Sequence, residues 1–258
     1  PWASRTLIAR KLKKLEDAIP VSIVEPVLTD QGWRFGDYPG AGRDPLNDAT
    51  YLHELYTRAD PAYTGRATVP VLWDGRRRTI VNNESADILR MLDSGFGALA
   101  DASVELCPAD LVDEVDALNR RLYAKLNNGV YRAGFATTQA AYEDAFAEVF
   151  AMLDELEERL GDGRDFLFGA RFTETDIRLF VTLIRFDAAY HGLFKCNLRR
   201  IADYRRLSTY LARVLEISGV RETVNMDHIK RGYYSIKALN PTGIVPAGPA
   251  LPWLAPAD

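Results

Sequence analysis

Beyond residue 109 the apolar residues of this chain recur at helical spacing, and that regularity limits its fold more than any other feature. Leu111, Val115, Leu118, Leu122 and Leu126 fall at steps of four, three, four and four, and Tyr142, Phe146, Val149, Leu153, Leu156 and Leu160 repeat the pattern. Each run puts one apolar stripe on a helix, and such a stripe is stable only against other helices. Residues 177–186 (IRLFVTLIRF) are nearly all apolar apart from Arg178 and Arg185, which predicts a buried central helix, and 204–217 predicts another. A helical bundle is expected over 108–235.

The first ninety residues mix strand and helix signals. Residues 6–15 (TLIARKLKKL) place Leu7, Ile8, Leu12 and Leu15 on one side with basic residues opposite, the pattern of an amphipathic helix, and Pro20 follows it. Residues 21–27 (VSIVEPV) are β-branched and read as a strand whose pairing Pro26 limits. A long stretch rich in Gly, Asp and Pro then runs to about residue 50 and contains Trp33, and 51–56 reads as a short helix. Strand, polar turn, strand and helix follow over 69–74, 75–78, 79–83 and 84–92. This is an α/β domain over 1–93, which a strand before Pro1 would complete; 94–107, with Gly95 and Gly97, reads as a linker. The tail, 236–258, holds Pro241, Pro246, Pro249, Pro252 and Pro256 and is expected to be extended.

Composition narrows the chemistry. The 258 residues carry a formal charge of −4, so bulk electrostatics do not favour nucleic acid or an anionic membrane, and no apolar run approaches spanning length. Small-molecule or protein partners fit better. Cys107 and Cys196 are the two cysteines, far apart and without metal-ligand spacing, which suits a reducing cytosol and small buried side chains rather than disulfides or zinc. His53, His191 and His228 show no ligand spacing either, although His191 adjoins Tyr190. Thr173 and Asp176 have the spacing of a reciprocal helix cap, a simpler role than catalysis. Arg76 to Arg78 read as a solvated turn. The chain starts at Pro1 without an initiator Met or a visible signal peptide, which predicts an N-terminal piece ahead of it.

Particular residues carry a resemblance. Val69-Pro70 opening a strand, and Glu84-Ser85 between the last strand and a helix, resemble the Val-Pro and Glu-Ser pairs of glutathione transferases. The opening PWASRTL resembles the stretch after the reactive cysteine in glutathionyl-hydroquinone reductases, the Xi class, and the similarity continues through 15–19, 32–33, 68–74, 82–89, 194–197 and 240–246. It covers essentially the whole chain.

The resemblance implies a thioredoxin-like domain over 1–93 joined to an all-α substrate domain over 108–235. It implies a cis Val69-Pro70 bond whose valine backbone pairs with the cysteinyl part of glutathione, and Glu84 and Ser85 on the γ-glutamyl group. Trp33 and Arg66 join that site, although a ring that merely anchors the loop and an exposed turn arginine are the alternatives. Tyr131, Tyr190 and Tyr233 line an aromatic substrate pocket, with Tyr234 competing for the last place. Arg5 supports a thiolate or faces solvent. The reactive cysteine would stand immediately before Pro1, outside this numbering, and Ala3 occupies the position where a dithiol motif needs its second cysteine. Glutathione is then a co-substrate, no metal takes part, and the partners are glutathione and a glutathionyl-hydroquinone in a cytoplasmic homodimer. The alternatives are an Omega-like thioltransferase or dehydroascorbate reductase, and a non-catalytic interaction module.

Overall fold

The computed structural model describes residues 1–254; Pro256 and the end of the proline-rich tail lie outside the described residues. The first helix, α1, spans Trp2–Leu12 with Pro1 at its N-cap, and Lys14 at φ 51° turns the chain out of the helix. It therefore starts and ends earlier than the 6–15 pattern predicts. Nor do its basic residues all face water, because Arg5 and Lys13 are buried. The cause is packing on more than one side: α1 touches both a helix of the first domain and a helix of the bundle. Lys13 Nζ meets Asp93 at 3.2 Å and the Val104 carbonyl at 2.5 Å.

Residues 21–27 do not form the expected strand. The backbone groups there serve the following loop instead: Glu25 N donates to Arg34 O at 2.8 Å, and Ile23 O accepts from Gly42 N at 2.8 Å. Pro26 has no N–H to offer. The helix α2, Leu52–Ala59, is capped by Glu54, whose Oε1 accepts from Tyr51 N at 2.8 Å. Strands β1, Leu72–Asp74, and β2, Thr79–Asn82, pair antiparallel with Trp73 opposite Ile80. Asp74 Oδ1 accepts the Arg76 and Arg77 amides and so closes the turn. Pairing begins three residues later than the 69–74 pattern predicts, because β2 reaches back only to Leu72. The helix α3, Ser85–Ser94, starts behind Glu84, whose carboxylate accepts from Ala86 N at 3.0 Å.

The segment 94–107 is packed rather than loose. Asp93 accepts the Leu106 and Cys107 amides, each at 3.0 Å, and Leu106 is fully buried. The bundle follows as α4 (Val112–Leu122), α5 (Gly129–Gly134), α6 (Gln139–Arg159), α7 (Glu174–Arg185), α8 (Arg205–Glu216) and α9 (Met226–Tyr234). Val115, Leu118, Leu122 and Leu126 are buried, as are Val149, Leu153, Leu156 and Leu160. Every residue of α7 is buried, and Thr173 and Asp176 cap it reciprocally. Its charged residues are covered too. Glu174 lies between Arg178 at 2.9 Å, Arg90 at 3.0 Å and the Asn119 amide at 2.7 Å.

Wider π-helical turns follow α4 (Tyr123–Asn127) and α7 (Phe186–Tyr190). Such turns re-aim the side chains beyond them and recur at functional sites. One continuous apolar core takes Ile8, Ile88 and Leu89 from α1 and α3 together with the bundle. A second, smaller cluster around Phe35, Leu52, Leu55 and Tyr56 receives Trp33, Val69, Trp73 and Ile80. The tail is held at Trp253, which is buried and whose carbonyl accepts from Arg221 at 3.3 Å. No helix among the described residues is long and apolar enough to cross a membrane.

Candidate active site

The Val69-Pro70 peptide bond is cis. Among the described residues the Val69 N–H and C=O make no hydrogen bond, so a full donor and acceptor pair stands open for a peptide ligand. Tyr56 places this edge: its hydroxyl donates to Thr68 O at 2.7 Å and accepts from Asn83 Nδ2 at 3.0 Å. One buried tyrosine on α2 thus ties the residue before Val69 to the residue before Glu84. Tyr63 packs on Tyr56 at 4.9 Å between rings, and its hydroxyl donates to the Arg66 carbonyl at 2.9 Å. The Arg66 side chain is exposed and has no ion-pair partner among the described residues. Trp33 is half-buried against the small cluster that also receives Val69. The sequence pattern gives neither Tyr56 nor Tyr63 a part in the site; Tyr56 only closes the short helix expected over 51–56.

Glu84 is exposed and Ser85 is buried behind it, at the amide-rich start of α3. Behind Ser85 lies Arg5, 2% exposed, whose Nη1 donates to Ser85 Oγ at 3.3 Å and whose Nη2 donates to Asn127 Oδ1 at 3.1 Å. Burial, helped by the charge of Arg178, pulls the Arg5 guanidinium down to about 9. Asn127 is the last residue of the first π-helical turn and donates to Thr182 Oγ1 at 2.7 Å and Arg178 O at 2.9 Å on α7. Arg5 therefore does not face solvent. It also covers the Trp2 ring at 4.5 Å.

Trp2 carries the site into the bundle, stacking on Tyr131 at 6.1 Å between rings. Three tyrosine hydroxyls meet there: Tyr131 Oη lies 2.7 Å and Tyr190 Oη 2.6 Å from Tyr233 Oη. They come from α5, the end of the second π-helical turn and α9. The neighbouring Tyr234 is half-buried and does not join them. Phe194 packs against all three rings at 5.3, 5.3 and 5.6 Å. Burial pushes the Tyr131 and Tyr190 hydroxyls well above the ordinary tyrosine range and raises Tyr233. All three are therefore neutral hydrogen-bonding groups near pH 7. The start of α1 is linked to both parts of the site, to the trio through Trp2 on Tyr131 and to the start of α3 through Arg5 on Ser85. Among the described interactions Trp33 and Arg66 do not touch the trio.

The remaining candidates are placed away from this centre. Cys196 is buried and pushed up to about 12 by burial, whereas Cys107 is only half-buried, with burial raising its thiol as well. Neither is a ready thiolate. His191 is half-buried, and its ring makes no hydrogen bond among the described residues.

Residues 1–94 match the family model of the glutathione S-transferase N-terminal domain, and residues 139–213 that of the C-terminal domain. Glutathionyl-hydroquinone reductase PcpF of Sphingobium chlorophenolicum is 52% identical over 253 residues, 98% of this chain and 80% of that protein. Among solved structures, a Xi-class transferase from Natrialba magadii superposes with a TM-score of 0.96 at 47% identity, covering 100% of this chain and 81% of that one. The chain belongs to the Xi class of glutathione transferases. The glutathione-bound structure of the Escherichia coli homologue YqjG matches this Xi-class chain with a TM-score of 0.96 at 50% identity, over 98% of this chain and 82% of that one. Glutathione binding by that relative agrees with the open Val69 edge and the α3 start found in this Xi-class chain.

Proposed function

We propose that this chain reduces glutathionyl-hydroquinones to hydroquinones with glutathione as co-substrate. The observation that carries the reading is the juxtaposition of a peptide-binding edge, the start of α1 and a cluster of three neutral phenols, in a chain 52% identical to a named glutathionyl-hydroquinone reductase. Val69 presents its backbone to the cysteinyl part of glutathione. Glu84 and Ser85 hold the γ-glutamyl group, and Trp33 and Arg66 close the site from the loop side. Tyr131, Tyr190 and Tyr233 form the wall on which the hydroquinone lies.

A cysteine on the N-terminal side of Pro1 supplies the nucleophile, as the resemblance implies. The free amides at the start of α1 favour its thiolate. The thiolate attacks the glutathionyl sulfur, and the new S–S bond forms as the aryl C–S bond breaks. The electron pair of that bond passes to the ring and its phenolic oxygens, and the ring carbon takes up a proton. A second glutathione thiolate then attacks the mixed disulfide, releasing oxidised glutathione and the enzyme thiolate. A neutral tyrosine is a good donor to an oxygen that gains charge during this step. Because the reaction consumes reduced glutathione, we assign it to the cytoplasm, and a homodimer is the assembly the resemblance implies.

The test is a single turnover of the intact native protein, with its N-terminal residues sequenced. Mixing with one equivalent of a glutathionyl-hydroquinone is expected to release hydroquinone and leave a glutathione adduct, located by mass spectrometry, on the residue before Pro1. A residue other than cysteine there, or an adduct elsewhere, overturns the mechanism.

A further inference from the structure

Arg185 is the last residue of α7 and is 7% exposed. Its Nη1 donates to Val181 O at 2.7 Å and its Nη2 to Ser4 Oγ on α1 at 2.7 Å. Both acceptors are neutral, and among the described residues no carboxylate lies within 4.0 Å. Two other buried cations have carboxylate partners, Arg178 with Glu174 and Lys13 with Asp93, whereas Arg5, like Arg185, meets only neutral oxygens, those of Ser85 and Asn127 at the start of α3 and in the first π-helical turn. A buried cation held only by neutral oxygens is unfavourable unless an anion comes to it.

The place where such an anion would arrive is defined. Ser4 is on the turn of α1 that begins at the site, and the second π-helical turn, which ends at Tyr190, starts at the residue after Arg185. Arg185 opposes the effect of burial on all three tyrosine hydroxyls, and on Tyr233 it is the first influence after burial itself. The hydrogen-bond count points the same way. Three hydroxyls carry three protons, and two contacts join them. When Tyr131 and Tyr190 both donate into Tyr233, the Tyr233 proton is left for a ligand.

We propose that Arg185 is the counter-cation of the aromatic pocket, a positioning residue that acts through Tyr233 to favour the anionic form of a phenolic ligand. The inference rests on the reductase reading for its role in turnover, where the same charge appears on the phenolic oxygen as the C–S bond breaks. The groups that bear on that oxygen are Arg185 from α7, Tyr190 from the following turn, Tyr131 from α5, Tyr233 from α9, and Arg5 from α1.

The probe is 4-nitrophenol, whose phenolate absorbs at long wavelength, titrated into the native protein and into Arg185→Gln and Arg185→Lys without glutathione. In the native protein the bound probe is expected to ionise at lower pH than the free phenol, and to bind at least about tenfold more tightly as the anion. Arg185→Gln abolishes that preference and Arg185→Lys keeps part of it. For the native protein alone, absence of saturable binding, or equal affinity for 4-nitrophenol below and above its ionisation, overturns the proposal. An unchanged preference in Arg185→Gln does so as well. None of these readings requires turnover, so failure of the anion preference stands apart from failure of the single-turnover assay.

Discussion

Arg5 reaches from α1 to Ser85 Oγ at 3.3 Å, across eighty positions of sequence, and holds Asn127 Oδ1 at 3.1 Å with its other nitrogen. A residue of the proposed nucleophile helix thereby fixes the serine at the start of α3 and the turn that precedes Tyr131. Among the described residues no carboxylate bonds to this buried cation, so removing it relieves a desolvation cost while leaving two polar groups without partners. The second effect is the larger, about 1–3 kcal/mol for each buried group left unsatisfied.

Arg5→Met is therefore expected to lower stability by a few kcal/mol at most and to raise the KM for glutathione through a misplaced Ser85. Urea unfolding and steady-state kinetics check the two parts separately. A loss of stability with an unchanged KM would show that Ser85 does not depend on Arg5.

Tyr233 sits between the other two hydroxyls, and this order makes the phenols unequal. Tyr233→Phe strands Tyr190 Oη, which belongs to a residue with no exposure at all, whereas Tyr190→Phe leaves the Tyr131 contact intact. Loss of a donor to developing negative charge typically costs about 10²–10³-fold in rate. Tyr233→Phe is expected to reach that range in kcat/KM for a glutathionyl-hydroquinone, with Tyr190→Phe losing less and both binding glutathione normally by calorimetry. Equal loss in turnover and glutathione affinity would remove the trio from the substrate pocket.

Much of this architecture was legible in the chain. The four-three-four-four spacing from Leu111 located the bundle stripe, and the apolar run at 177–186 located the buried helix, because burial on one face or all faces leaves a direct pattern. The strand expected at 21–27 failed because β-branched content reports fit to a pleated surface, while pairing depends on a partner that the sequence pattern does not reveal. The charged residues that matter most were the hardest to read. Arg178 and Arg185 interrupt a run read as a buried helix and Arg5 precedes the amphipathic pattern of 6–15, so the spacing says nothing of what receives their charge, and only tertiary contact shows what covers them. The Val69-Pro70 and Glu84-Ser85 pairs were recognisable as short motifs, whereas Tyr56, which ties their backbones together, had no local signal beyond an amphipathic turn.

Glu174 is buried with no exposed surface and receives Arg90, Arg178 and Asn119 from three different helices. Removing its charge leaves at least Arg178 as an uncompensated buried cation, a change that typically costs about 3–5 kcal/mol. Glu174→Gln is expected to lose stability in that range by denaturant titration. The double variant Glu174→Gln with Arg178→Met should recover part of the loss, since it removes both charges together. A double variant less stable than the sum of the two single changes would contradict a pairing between them.

Alkaline pH probes the buried phenols as a group. Burial raises Tyr131, Tyr190, Tyr210 and Tyr233 above their unfolded value, so the folded chain retains protons that the unfolded chain releases above about pH 10. Their contribution to stability is full below that pH and is lost as pH rises further, by up to about 1.4 kcal/mol per pH unit for each group. Cys196, pushed up to about 12, acts in the same direction from its lower unfolded value. Arg5 acts oppositely: its folded value of about 9 lies below the unfolded one, so above that pH the unfolded chain binds the extra proton and stability rises. Between about pH 9 and 10 these two single groups offset each other, and above about pH 10 the four tyrosines prevail. Urea midpoints are therefore expected to stay level to about pH 10 and then fall steeply. Tyr210→Phe, which removes a hydroxyl bonded to Asp176 Oδ1 at 2.9 Å, should lower stability at neutral pH and make the alkaline fall shallower. An unchanged slope in that variant would mean that Tyr210 ionises in the folded protein as readily as in the unfolded chain.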